Sequence, residues 1–192
     1  MNTAAKVNTL VWLHPSHAEG LARLAEENDF AEWRWLAEER QRLRVPHSEP
    51  TPQEIRVSAL DQRPVLWPRM GLLTETAMRA RLALPDLAGP WPPFTAEEAQ
   101  AQRLSGRRPG SPNEHFGAKL MLDIAADVVD SARLAAYRVS EPAVRLLQQE
   151  NLIGPRPARS KQARARKLEL QGQIYTVGRI ARESIAALLS NG

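Results

Sequence analysis

The chain has 192 residues, with 26 Lys and Arg against 22 Asp and Glu, four His and no Cys. The absence of Cys excludes a disulfide scaffold, a thiolate zinc site, a cysteine nucleophile and thiol redox chemistry. With 43% apolar and 25% charged residues the composition is that of a globular protein of one compact domain or two small ones, neither disordered nor fibrous.

No apolar run approaches the ~18 residues of a membrane helix. The apolar stretch near the N-terminus is about five residues long, too short for a secretory signal. A cytoplasmic protein without membrane contact is the expectation.

In chain order, Ser16 is placed to cap a helix from His17 to about Glu27, with Leu21, Leu24 and Ala25 on one face. Asn28-Asp29 is expected to break it before a second helix, Phe30 to about Arg44, making a helical hairpin. Trp33 and Trp35 cannot both face inward on that second helix, so one is expected at the surface, as a candidate partner contact. Five Pro between Val45 and Arg69 argue against a long helix. Ile55-Arg56-Val57 and Pro64-Val65-Leu66-Trp67 read as short extended pieces.

A helix from about Leu72 to Leu84 follows. Pro85 to Phe94 then holds four Pro in ten residues and reads as a stiff connector. It divides the chain into an acidic, Trp-rich helical region, 1–90, and a basic module, 91–192. Thr95 and Glu98 match a capping box that opens a helix to about Leu104. Ser105 to Pro112 is a loop by composition. Asn113 caps the longest periodic stretch, Glu114 to Tyr137, with Phe116, Leu120, Ile124 and Val128 in one stripe.

The net charge conceals a split. Residues 1–100 are net −3 and residues 101–192 net +7. Between Gly154 and Arg182 eight basic side chains face Glu169 alone, the pattern of a polyanion-binding surface.

The same region has a recognisable order. A helix end at Leu134–Arg138 is followed by a Val139-Ser140 turn. A helix then opens at Glu141-Pro142 and stops at Leu152-Ile153-Gly154, with Arg145, Gln148 and Gln149 facing outward. Lys167–Leu170 and Ile174–Val177 flank Gln171-Gly172-Gln173 and read as a β-hairpin. A last helix runs from Arg179 to Leu189.

Helix, turn, helix and basic hairpin resemble the winged helix-turn-helix proteins, with a MarR-like pattern over residues 125–189. The expected fold is therefore mainly α, a helical N-terminal portion followed by a winged helix-turn-helix-like module with a small β-hairpin. The resemblance implies double-stranded DNA binding, as a transcriptional regulator or an accessory factor of replication, partition or a mobile element. Arg145, Gln148 and Gln149 would read bases, while Arg156, Arg159, Lys161, Arg164, Arg166 and Lys167 would form the wing and meet phosphates. Winged-helix proteins usually read paired half-sites. A homodimer is therefore expected, seamed by the 114–137 helix, or a protein partner on the Trp-rich half.

The alternative is a non-catalytic subunit of a nucleoprotein complex that binds RNA or single strands through residues 154–182. That role needs aromatic stacking platforms, and Tyr175 is the one aromatic residue of the segment. No catalytic constellation, metal site or cofactor motif is expected. Pro15 separates His14 from His17, so these two and Glu19 do not make a ligand set, and Asp123, Asp127 and Asp130 read as a solvated stripe.

Overall fold

The structure, a computed structural model, describes residues 5–105 and 116–190. It is mainly helical with a two-stranded antiparallel sheet. In chain order the elements are β1 (Lys6–Leu13), α1 (Pro15–Arg42), α2 (Gln53–Leu66), α3 (Met70–Leu82), α4 (Ala96–Ser105), β2 (Ala118–Ala125), α5 (Ala126–Gln149), α6 (Lys161–Gly172) and α7 (Val177–Ser190). Asn113 and most of the 105–112 loop lie outside the described residues.

The sheet is where the sequence reading departs furthest. Residues 118–125 are a strand, not the middle of a 114–137 helix, and pair with β1 so that Leu10 lies opposite Met121 and Leu13 opposite Ala118. The stripe at Leu120, Ile124 and Val128 repeats every four residues, which fits a helix but is also an even interval. In a strand, Leu120, Leu122 and Ile124 therefore share a face too. Val11, Leu13, Leu122 and Ile124 are buried on the inner face, and Leu10, Trp12, Lys119 and Met121 are exposed on the outer one.

The helical hairpin expected at 17–44 is one helix, α1. His14 is its N-cap, accepting from the Ser16 N–H, and Ser16 lies within the first turn. Asn28-Asp29 does not break α1 because the α2–α3 junction engages both side chains. Asn28 donates to the Pro68 carbonyl at 2.8 Å, and Asp29 pairs with Arg69. One turn on, Glu32 is 5% exposed and receives Arg63 through two bonds of 2.6 and 3.0 Å. Tertiary partners thus outweigh the weak helix preference of Asn and Asp.

The extended pieces expected at 55–57 and 64–67 are also corrected. They belong to α2, whose Pro64 falls in the last turn, so the one bond it cannot make, to the Leu60 carbonyl, lies at the helix end. Ile55 and Ala59 give α2 its buried side. The helix expected at 72–84 is α3, shifted by two residues. Gly71 lets the start of α3 approach β2 closely: a Cβ there would lie 2.6 Å from the Asp123 carbonyl oxygen.

Thr95 and Glu98 form the expected capping box, with reciprocal bonds of 2.8 and 3.2 Å. The 85–94 stretch lies on the core. Leu87 is buried, and the Trp91 indole N–H donates to the Leu87 carbonyl. Val11, Leu21, Met78 and Leu87 share one apolar cluster with Ile124, Val128, Ile180 and Ile185, so the main core draws on both sides of residue 90.

Helix α5 runs unbroken through the expected turn at Val139-Ser140. Pro142 costs about 3 kcal/mol inside a helix. Buried Val128, Ala132, Ala135 and Ala136 before it, and Ala143, Val144 and Leu147 after it, offset that cost. Ser140 is fully buried, donates to the Ala136 carbonyl at 2.6 Å and accepts the Tyr175 N–H at 2.8 Å.

The expected β-hairpin is likewise absent. Residues 161–172 form α6, and Gln173–Thr176 lead into α7. Ala, Arg, Lys, Leu, Glu and Gln dominate α6 and are strong helix formers, so a real but short alternation yields to propensity. Leu170 is its buried anchor, packed with Val144, Leu147, Leu152 and Ile174 in a second, smaller apolar cluster.

Gly71→Ala tests the α3–β2 approach. The added methyl must push backbone from backbone, so chemical denaturation should show a loss of about 1–3 kcal/mol. An unchanged midpoint would mean that the approach carries no constraint.

Candidate nucleic-acid interface

The candidate site begins where α5 ends. Asn151 takes a left-handed conformation (φ 51°), and the Leu152 and Ile153 N–H groups fold back onto the Leu147 carbonyl at 2.8 and 3.3 Å. This closes the helix with an Asn in the position that favours Gly or Asn. Gly154, at φ 126°, turns the chain away. Asn151 then pins the segment that follows. Its side-chain amide donates to the Arg156 carbonyl at 3.2 Å, and its own carbonyl accepts the Ala158 N–H at 2.8 Å. The loop is therefore a held platform from which Arg156 and Arg159 project into solvent.

Ser160 caps α6, accepting the Ala163 N–H at 3.0 Å. At about 100° per residue, Lys161, Arg164 and Lys167 lie on one side of the helix, with exposed Leu168 among them. The opposite side carries Arg166, bound to Glu150 at 3.2 Å and Glu169 at 2.9 Å. Those two carboxylates, Glu150 foremost, raise the Arg166 pKa further above its ordinary value. Beside them a cleft of about 600 Å³, lined by Glu150, Leu152, Ala163, Arg166 and Glu169, separates α6 from the 150–160 segment. Of the six predicted wing cations, Arg166 is thus neutralised. Among the described residues Arg156, Arg159, Lys161, Arg164 and Lys167 make no ion pair.

Two cations in the first turn of α6 run against the local electrostatics. The N-terminal end of a helix carries positive partial charge and favours anions by about 0.3–1 kcal/mol each. No acidic residue occupies that turn. Lys161 and Arg164 therefore do nothing for the helix itself, and together with the loop arginines they concentrate positive potential at one end of it.

Arg145, Gln148 and Gln149 are all exposed on the last turns of α5. Arg145 leans on Glu141 at 2.9 Å, an exposed pair of small energy. Tyr175, by contrast, is engaged. Its hydroxyl donates to Asp86 at 3.0 Å and accepts from Arg81 at 3.1 Å, while the Arg179 guanidinium lies 4.2 Å from its ring centroid. Burial first, and Asp86 second, raise its pKa.

This network of Arg81, Asp86, Tyr175, Arg179 and Glu183 was not visible in the sequence, because its members lie up to 102 residues apart. Nor was the role of Arg138, which stands just before the expected turn and forks onto Glu98 at 2.7 and 2.9 Å while donating to the Pro93 carbonyl. The remaining candidates are dispersed. His14 and His17 meet edge to face, Asp127 pairs with Arg79 and Asp130 with Arg133. His115 lies outside the described residues, and among the described residues no group of three potential ligands could hold a metal. Trp33 is the exposed member of its pair, 63% accessible and stacked on Phe30, while Trp35 packs on Trp67.

Two measurements probe the supports of this surface. Ser140→Ala strands the Tyr175 N–H and should cost about 1–3 kcal/mol of stability, read by denaturant unfolding. A neutral outcome would remove Ser140 from the list of anchors. Arg138 holds the Glu98 carboxyl down to about 2, and Arg81 holds Asp86 down to about 2. Both groups bind protons more tightly when unfolded, so their stabilisation is complete above about pH 4.5 and lost as the pH falls toward 2. Thermal unfolding should show that acid slope, and Arg138→Gln should flatten it.

No protein-family model matches the chain, and neither a curated protein nor a solved structure matches it.

Proposed function

We propose that the chain binds nucleic acid, duplex DNA in preference to RNA or single strands, through the cationic side of α6 and the 156–160 loop. One observation carries this reading. Among the described residues Arg156, Arg159, Lys161, Arg164 and Lys167 make no ion pair and fall close together in sequence, whereas the other exposed arginines without an ion pair, such as Arg23, Arg34, Arg44 and Arg56, are spread over α1 and α2 and the loop between them. Exposed Arg156, Arg159, Lys161 and Arg164, with half-buried Lys167, form a cationic surface on a held loop and one helical side that matches a phosphate backbone, with each contact releasing counterions. In this reading α6 takes the part that a wing plays in winged helix-turn-helix proteins.

Arg145, Gln148 and Gln149 supply the base-edge chemistry, Arg toward guanine and Gln toward adenine. Preference for a duplex rests on Tyr175, which is bound to Asp86 and covered by Arg179 and so offers no stacking face to an unpaired base. Such a protein acts as a transcriptional regulator or as an accessory factor of replication, partition or a mobile element.

Fluorescence anisotropy against random duplex DNA, single-stranded DNA and RNA, each titrated with salt, tests the proposal. Five phosphate contacts give a log–log salt slope of about −4.5. Replacing Arg159, Lys161, Arg164 and Lys167 by Ala should reduce its magnitude by about 3.6. A preference for RNA or single strands would move the chain to the nucleoprotein-subunit class. Absence of binding at moderate salt would overturn both readings.

A further inference from the structure

Among the described residues no helix lies over the outer face of the β1–β2 sheet. Leu10 is 41% exposed, Trp12 46% and Met121 61%, and Lys6, Asn8, Lys119 and Asp123 complete the same face, all exposed. An antiparallel sheet with one solvated face normally shows polar residues there. Here the centre of the face is apolar. Leu10 lies directly opposite Met121, and Trp12 opposite Lys119, whose ammonium is 5.9 Å from the Trp12 ring centroid.

The arrangement of charge on β2 suits a second copy of this chain. Its outward positions read Lys119, Met121, Asp123, a cation and an anion spaced equally about an apolar centre. A two-fold axis between two stacked copies, running across the strands at the level of Leu10 and Met121, sets Met121 on Met121 and Leu10 on Leu10. The same operation sets each Lys119 against the Asp123 of the other copy. A long Lys side chain can bridge much of the roughly 10 Å between stacked sheets. A two-fold interface must be complementary to itself, and this face is so in its Leu10 and Met121 centre and in the charges of β2, while Trp12 of each copy meets Asn8 of the other.

We infer that the outer face of the β1–β2 sheet, Leu10, Trp12 and Met121 with Lys119 and Asp123, is the seam of a homodimer between two copies of this chain. This replaces the seam expected from a 114–137 helix. Residues 126–137 lie in α5, which buries Val128, Val129, Ala132, Ala135 and Ala136 in its own core. The patch is small, so the dimer is weak and concentration-dependent.

Sedimentation equilibrium of the full chain between roughly 1 µM and 1 mM, the span of weak to moderate affinities, tests the seam. The wild-type protein should pass from monomer to dimer over that range. Lys119→Asp sets like charges together at two symmetric places and should weaken the dimer at least about tenfold. The double exchange Lys119→Asp with Asp123→Lys restores the pairing and should recover dimerisation to within about threefold of wild type.

Met121→Lys places two cations on the axis and should leave a monomer. Since all three positions face solvent, circular dichroism should match wild type in every variant. A wild-type chain that stays monomeric throughout overturns the inference, as does Lys119→Asp dimerising like wild type. Failure of the double exchange to restore the dimer overturns it too. A monomer that instead binds a single-stranded oligonucleotide through this face, with binding lost in Met121→Lys, assigns the face to another occupant and equally overturns it.

Discussion

The pairing of β1 with β2 is the constraint on which the rest of the molecule depends. It joins residues 6–13 to 118–125, so everything between them must leave the sheet and return to it. A two-stranded sheet alone is marginal in water. It persists because Val11, Leu13, Leu122 and Ile124 enter the same cluster as Met78, Val128, Ile180 and Ile185. Helices α3, α5 and α7 therefore hold the sheet as much as the sheet orders them. Gly71 and the buried Glu75, whose carboxylate accepts the Ala125 N–H, fix α3 to the last residues of β2, where α5 begins.

Arginine does two kinds of work in this chain. In the main body it ties elements that are remote in sequence. Arg63 and Arg69 fasten the α2–α3 junction to α1, Arg81 ties α3 to α7 and to the 85–94 stretch, and Arg138 fastens that stretch to α5. The planar guanidinium suits this, since one side chain can satisfy two or three acceptors at once. Between residues 156 and 167 the pattern changes, and every cation but Arg166 stands on a capped helix or a pinned loop without an ion pair among the described residues. Clustered in this way, these charges concentrate positive potential on one side of α6, which is the feature the proposed reading uses.

How much of this was legible in the sequence depended on the range of the interaction that decides each element. Where local chemistry decides, the reading held: the Thr95–Glu98 capping box, the helix expected at 72–84 and the last helix, expected from Arg179 to Leu189 and found as α7. Where distant partners decide, it did not. Asn28-Asp29 looks like a break until Pro68 and Arg69 are brought against it. The Leu120–Ile124 interval cannot distinguish a helix from a strand without β1 in view. Residues 167–177 alternate like a hairpin, yet of Leu168 and Leu170 one is exposed and the other buried, as a helix requires. For the candidate site, the identity of the cations was legible. Their separation into one neutralised residue, Arg166, and five without ion pairs was not, because Glu150 lies 16 residues away.

The two surfaces described here have different chemistry and a common consequence. A two-fold seam through the sheet repeats the α6 side and the α5 end, so one particle carries two cationic faces and two sets of Arg145, Gln148 and Gln149. If both proposals hold and the two faces reach one duplex, the second would bind at an effective concentration set by the body of the dimer rather than by bulk protein. Weak self-association and weak single-site binding reinforce each other in such a system, because DNA that holds two chains together favours the dimer by the same factor that the dimer favours DNA. On these two proposals, the modest apolar area at Leu10, Trp12 and Met121 would suffice, because the seam would need to be complete only when both copies are already bound.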